Sequence, residues 1–177
     1  QKTAIEITCR DWSSDVCSSD LVAHEGSQEL SVIEIQKLMG RLSTTMPGHF
    51  TSDFAFLQGL RRRIPLRVNG PRAMVVDGET VWVAGYFSDT LERLELDGRA
   101  PGDLVRLGSG AEITEAGRGE RLFHDATIGH KSWQSCASCH PDGRVDGLNW
   151  DLLNDGIGNP KNTKSLLLSH RTPPSMS

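Results

Sequence analysis

The feature that most constrains this 177-residue chain is the run Cys136-Ala137-Ser138-Cys139-His140. Its spacing is C-x-x-C-H, the attachment signature of a c-type haem. Side chains three and four residues apart share one face of a helical turn. The pattern therefore sets two thiols and an imidazole side by side. Cys136 and Cys139 can add across two porphyrin vinyl groups while His140 reaches the iron as proximal ligand. The metal chemistry is then the cofactor's, and the protein tunes it through the axial ligand, burial and hydrogen bonding.

Two other uses of a C-x-x-C pair compete with this one. Structural zinc needs four ligands, usually completed by a second C-x-x-C or H-x-H cluster, and the chain has none. A thioredoxin-like dithiol expects a preceding strand in a βαβ context and has no use for the adjacent His.

Composition places few further limits. The chain is 37% hydrophobic and 24% charged, with a net charge of −4, which suits one or two small globular domains. Its mild acidity argues against a nucleic-acid partner. No apolar run approaches the ~18 residues of a membrane span. No secretory signal is visible at the start of the chain.

Residues 1–21 have no sustained strand or helix period. The stretch 11–21, DWSSDVCSSDL, is similar to an in-frame translation of a sequencing-library adapter, and residues 1–7 resemble the rest of it, with Ile5 in place of a Tyr. That resemblance marks 1–21 as an adapter-like artefact, expected to be disordered and outside the fold. Cys9 and Cys17 leave the count with it. Cys136 and Cys139 are then the remaining pair, and no disulfide framework is expected.

Residues 22–110 read mainly as strands. The stretch 29–35 alternates in part, and 34–42 offers a short helix with Ile35, Leu38, Met39 and Leu42 on one side. Met46-Pro47-Gly48 breaks it, and the structure of 51–60 is ambiguous. Met39 and Met46 read as packing residues rather than iron ligands. Arg61-Arg62-Arg63 suits a solvated edge or loop, or a docking patch for an acidic redox partner. Strands are expected at 73–76, 80–87, 90–96 and 103–107, separated by Asp77-Gly78, Ser88-Asp89 and Asp97-Gly98. Four short antiparallel strands with tight turns are what one propeller blade requires; a small free-standing sheet is the alternative. Residues 70–91, GPRAMVVDGETVWVAGYFSDTL, resemble a YVTN-type β-propeller repeat, with Gly85 where that repeat usually has Asn. The resemblance implies a C-terminal propeller remnant over 22–110, its one clear blade at about 70–107.

In residues 111–177, Thr114 is a candidate N-cap with Glu115 in the first turn. Gly117 and Gly119 weaken the helix, and Leu122 and Phe123 give it an apolar contact. Residues 136–140 form a helical turn. Gly-rich connections follow, and few apolar residues lie between His140 and Leu166, so a covalent haem would supply the missing core. Four pieces resemble the first haem domain of the di-haem cytochrome c peroxidase family: residues 119–125 (GERLFHD), 135–140 (SCASCH), Asp146-Gly147, and 162–166 (NTKSL) with Lys161 for the family's Arg and Lys164 for its Pro. The resemblance implies a mainly α, truncated cytochrome domain with one covalent haem c on Cys136 and Cys139, and His140 as proximal ligand. Asn162 falls where the family has an interdomain calcium ligand, which makes calcium a second implied cofactor. The family's distal His has no counterpart between His140 and Asn162, so the sixth position is unassigned. Met176, in a Pro-Pro-Ser-Met stretch, His170, His130 and His124 are candidates for it. Trp133 and Trp150 flank the motif as pocket packing or as an electron relay.

The expected fold is therefore mixed: an antiparallel β-propeller blade fragment followed by a mainly α, c-type cytochrome domain. The expected function is covalent haem binding and electron transfer, as a fragment of a di-haem peroxidase-like oxidoreductase that reduces peroxide when intact. With one C-x-x-C-H, the fragment alone is not expected to turn over. Its expected partners are a redox protein or second haem domain and hydrogen peroxide, without nucleic acid or a membrane span. Haem attachment outside the bacterial cytoplasm implies a periplasmic or exported protein. The rival reading is a propeller-type binding module with a structural or electron-transfer-only cytochrome appendage.

Overall fold

A computed structural model of the chain describes residues 19–46, 48, 50, 53, 55–97, 102–108, 113–151 and 156–171. Cys9, Cys17 and Met176 lie outside the described residues. Two antiparallel sheets form the larger part. Strands β1 (Ser19–His24), β2 (Glu29–Glu34) and β3 (Arg61–Pro65) make the first, in that spatial order. Strands β4 (Pro71–Asp77), β5 (Thr80–Gly85), β6 (Thr90–Glu95) and β7 (Asp103–Arg106) make the second, a meander. Helix α1 (Ile35–Thr44) follows β2 directly.

Alternation builds the core. Successive strand side chains point to opposite faces, and β1, β5 and β6 alternate strictly between buried and half-buried positions. Leu21 and Ala23 from β1, Leu30 and Val32 from β2, Met74 from β4, Val81 and Val83 from β5 and Leu94 from β6 meet in one cluster. The strands pair with Leu30 opposite Ala23 and Ile64, and Val83 opposite Met74 and Glu92, with one register shift between Pro71 and Ala73. Glu92 is buried, but its carboxylate accepts the backbone N–H groups of Arg67 (2.6 Å) and Val68 (3.2 Å), which offsets the cost of desolvating it.

The strands of residues 70–107 lie where the turn signals put them, but the propeller expectation is overturned. The two sheets share a single core, to which β1, β2, β4, β5 and β6 contribute buried side chains, and they do not form a propeller. A local pattern specifies strand and turn; how sheets associate depends on contacts it does not carry. Gly85 is required by packing: a Cβ there would sit 2.4 Å from Ser88 Oγ and 2.6 Å from Val68 Cβ. The Asn that the repeat favours at this place does not fit.

Of the adapter-like stretch, residues 1–18 lie outside the described residues and the last three lie in a strand. Ser19, Asp20 and Leu21 are the first half of β1, paired with Glu34, Ile33 and Val32. Leu21 is fully buried. Met39 and Met46 do not pack; they are 59% and 69% exposed. Arg61, Arg62 and Arg63 open β3, an edge strand, and are all exposed.

The mainly α cytochrome domain is overturned as well. Residues 113–171 contain α2 (Glu115–His124), a single helical turn α3 (Cys136–Cys139), short 3-10 turns, and a two-residue pairing of β8 (Asn149–Trp150) with β9 (Lys161–Asn162). Helices are stabilised mainly by packing an apolar face. This segment offers glycines and polar residues instead, and Gly143, Gly147, Gly156 and Gly158 adopt positive φ.

The segment is fastened to the β1–β2 turn. Ala126 N–H donates to Gly26 O at 3.0 Å, and Gln28 Nε2 donates to Asp125 Oδ1 at 3.3 Å. Buried Glu25 holds Arg72 Nε at 2.5 Å and lies 3.3 Å from His124 Nδ1. The Arg72 guanidinium stacks 3.9 Å from the Tyr86 ring centroid. Among the described residues, no helix is long and apolar enough to cross a membrane.

Candidate haem-attachment site

Helix α3 is a single turn, and its ends are closed locally. Ser135 N–H donates to Ser138 Oγ at 3.1 Å, and Ser138 N–H donates to Ser135 O at 3.1 Å. His140 N–H donates to Cys136 O at 2.9 Å, so the imidazole follows the two thiols within one turn. Cys136 is exposed, Cys139 is half-buried, and both are free thiols. Burial, and after it the charge of Asp146, pushes the Cys139 thiol up from its ordinary value. A redox dithiol needs the opposite, a thiol held as thiolate by nearby positive charge.

His140 is oriented by the turn that follows it. Pro141–Gly143 forms a 3-10 turn, with Asp142 and Gly143 at φ 54 and 69. The turn carries the Arg144 carbonyl back to the ring, where His140 Nδ1 lies 3.3 Å from Arg144 O. A carbonyl only accepts, so as a hydrogen bond this contact has Nδ1 donating, which makes Nε2 the nitrogen that can face a metal. This is how backbone carbonyls set the tautomer of metal-ligating histidines.

Downstream, Leu166 N–H donates to Gly143 O at 2.8 Å and ties the 160s to this turn. Asp146 accepts from Leu148 N–H (3.1 Å) and from the Trp150 indole N–H (2.7 Å). Desolvation pushes its carboxyl up, but these bonds and one from Thr163 outweigh it and hold the carboxyl below the usual range. Trp150 is thus a half-buried residue of β8 held by its indole hydrogen bond. Trp133 is 75% exposed and makes no pocket wall with the thiols.

The other expected ligands are dispersed. His124 is engaged by Glu25, and its ring packs against Phe87 and Phe123. His130 is exposed in a 3-10 turn, and His170 Nε2 accepts from Arg171 Nε at 3.2 Å. Asn162 sits in β9, where its Nδ2 donates to Asn149 Oδ1 at 2.7 Å. No group of three or more His, Cys, Asp or Glu that could hold a metal ion gathers among the described residues.

These residues fit a covalent haem. The porphyrin supplies four iron ligands itself, so the protein needs one imidazole and two thiols, which α3 and His140 present together. The second sign of fit is apolar surface left uncovered. Ala126 is the one core hydrophobic of the described residues in 113–171. Leu148, Ile157, Leu167 and Leu168 are all more than half exposed. A large apolar cofactor would cover such side chains, as a small segment without its own core requires. Sequence reasoning missed the Arg144 carbonyl, because a backbone oxygen carries no residue signal; the Asp142-Gly143 turn was the available hint.

Fold and site together define a two-sheet β protein that carries a C-x-x-C-H turn on an irregular segment. No protein-family model matches the chain, and no solved structure matches it. Over 57 residues, 32% of its length, the chain is 42% identical to the hydrazine synthase subunit gamma of Kuenenia stuttgartiensis. That match spans 16% of the relative.

Proposed function

We propose that this chain carries one covalently attached haem and serves electron transfer within a larger redox protein. The observation that carries the reading is the joint presentation, by one helical turn, of two free thiols and an imidazole whose Nδ1 is bound to a backbone carbonyl. In this reading, Cys136 and Cys139 would hold the haem through thioethers, each S–H adding across one vinyl C=C with no oxidant consumed. His140 would offer Nε2 to the iron, with its Nδ1–H donated to the Arg144 carbonyl, which orients the ring. When bound, the haem supplies one-electron exchange at iron. The partial likeness to a hydrazine synthase subunit supports a redox setting. Attachment of this kind proceeds outside the bacterial cytoplasm, so export belongs to the same proposal. Peroxide reduction would be an activity of the longer protein, in line with the peroxidase-like pieces around the motif.

The test is expression together with c-type haem-maturation machinery, followed by a pyridine haemochrome spectrum of the denatured protein. One covalent haem per chain is expected, lost in Cys136→Ala/Cys139→Ala. Absence of covalent haem, or its retention in that double variant, overturns the reading. Catalytic consumption of added hydrogen peroxide would extend it from electron transfer to peroxide reduction.

A further inference from the structure

A cleft of about 360 Å³ lies between the first sheet and the segment that carries α3. Its walls are the β1–β2 turn, the start of β3, and residues on both sides of the attachment turn. Ala137, Ser138 and Pro141 line it, whereas Cys136, Cys139 and His140 do not. The cleft is thus separate from the thiols and falls within the size range of small-ligand pockets.

Its charges do not balance. Arg61, Arg63 and Lys131 face Glu25 and Asp142 across it. Arg63 is paired with Glu29, and Glu25 with Arg72 and His124. Arg61 and Lys131 make no ion pair among the described residues, so two cations from opposite walls face one further carboxylate, Asp142. We propose that this cleft binds a small anion, a carboxylate or an inorganic oxyanion, held between Arg61 of the sheet and Lys131 of the attachment segment.

Two further observations agree. His24, on the same wall, has its pKa lowered by burial first and then by the charges of Arg61 and Arg63, which marks a positive field. Lys131 and Ser132 both adopt positive φ (54 and 53), a conformation that L side chains resist and that is concentrated at ligand sites. The proposal is independent of the haem reading, since no lining residue is a thiol or the imidazole of the motif.

The experiment is isothermal titration of the full chain with sodium succinate and with sodium phosphate at low ionic strength, with sodium chloride as control. Saturable binding of either anion is expected, weakened about tenfold in Arg61→Ala and in Lys131→Ala, with Arg61→Lys keeping most of it. Succinate alone would identify a carboxylate site and phosphate alone an oxyanion site. The same titration in Cys136→Ala/Cys139→Ala should give unchanged affinity, which separates this result from the haem test. Heats equal to the chloride control, or wild-type affinity in an Arg61→Ala/Lys131→Ala protein with an unchanged circular dichroism spectrum, overturn the proposal.

Discussion

Nδ1 of His140 lies 3.3 Å from the carbonyl oxygen of Arg144, four residues on, and this contact decides which nitrogen can meet a metal. Replacing His140 by Gly should leave both thiols competent, so the pyridine haemochrome should still report covalent haem. The native absorption spectrum should change, and added imidazole should restore it. Loss of covalent haem in this variant would show that the imidazole acts in attachment itself. Cys136→Ala should leave one thioether and one unreacted vinyl group, whose conjugation moves the haemochrome band to longer wavelength.

Leu21 tests where the fold begins. It is fully buried in β1 opposite Val32. Leu21→Ala should destabilise the sheets by about 2–5 kcal/mol, the usual cost of emptying a core leucine site. Urea unfolding followed by circular dichroism measures it. An unchanged midpoint would place the start of the folded unit after Leu21.

Glu25 should act as a clasp between sheet and attachment segment. Its carboxylate is held by Arg72 at 2.5 Å and by His124 at 3.3 Å. Removing it in Glu25→Ala leaves Arg72 only the 4.0 Å contact with Glu120 as an ion pair among the described residues, a loss of about 1–3 kcal/mol. The Ala126-to-Gly26 hydrogen bond lies next to this pair in sequence. Amide exchange at Ala126 should therefore accelerate in Glu25→Ala and stay slow in a variant of an exposed residue such as Lys37→Ala.

His24 gives a pH dependence with a definite sign. Burial, then Arg61 and Arg63, lower its pKa from the ordinary 6.5, with Glu29 opposing. The unfolded chain therefore takes up this proton at higher pH than the folded one, and stability rises with pH through that window. The contribution is complete above pH 6.5 and is lost progressively as pH falls below it toward the lower folded value. Neutral His24 also shares a 2.7 Å hydrogen bond with Ser31 Oγ. Thermal melts at pH 7.5 and 5.5 should differ more for the wild type than for His24→Gln. Equal differences would remove His24 as the source.

Several elements were legible because their signals are local. The turn at Cys136–Cys139 needs only residues four apart, and Thr114 caps α2 as its position implies, accepting from Gly117 N–H at 3.1 Å. The strands of the meander follow from alternation and from turn residues such as Gly78, at φ 60. The mainly α reading of 111–177 rested on resemblance to a cytochrome domain. Gly117 and Gly119 did not prevent α2, but the run of positive-φ glycines after His140 argued against further helix locally, and there those residues prevailed.

The sequence by itself determined the C-x-x-C-H turn, the strand alternation and the helix cap, because each depends on contacts within one or two turns of chain. Only the tertiary structure decided that strands of two sheets share one core, that Leu21 belongs to it, and that Glu25 meets His124 across 99 positions. It also decided that Arg61 and Lys131 line one cleft. Those outcomes rest on burial and charge pairing between distant segments, and their energies are set by which surfaces meet, which no local period encodes.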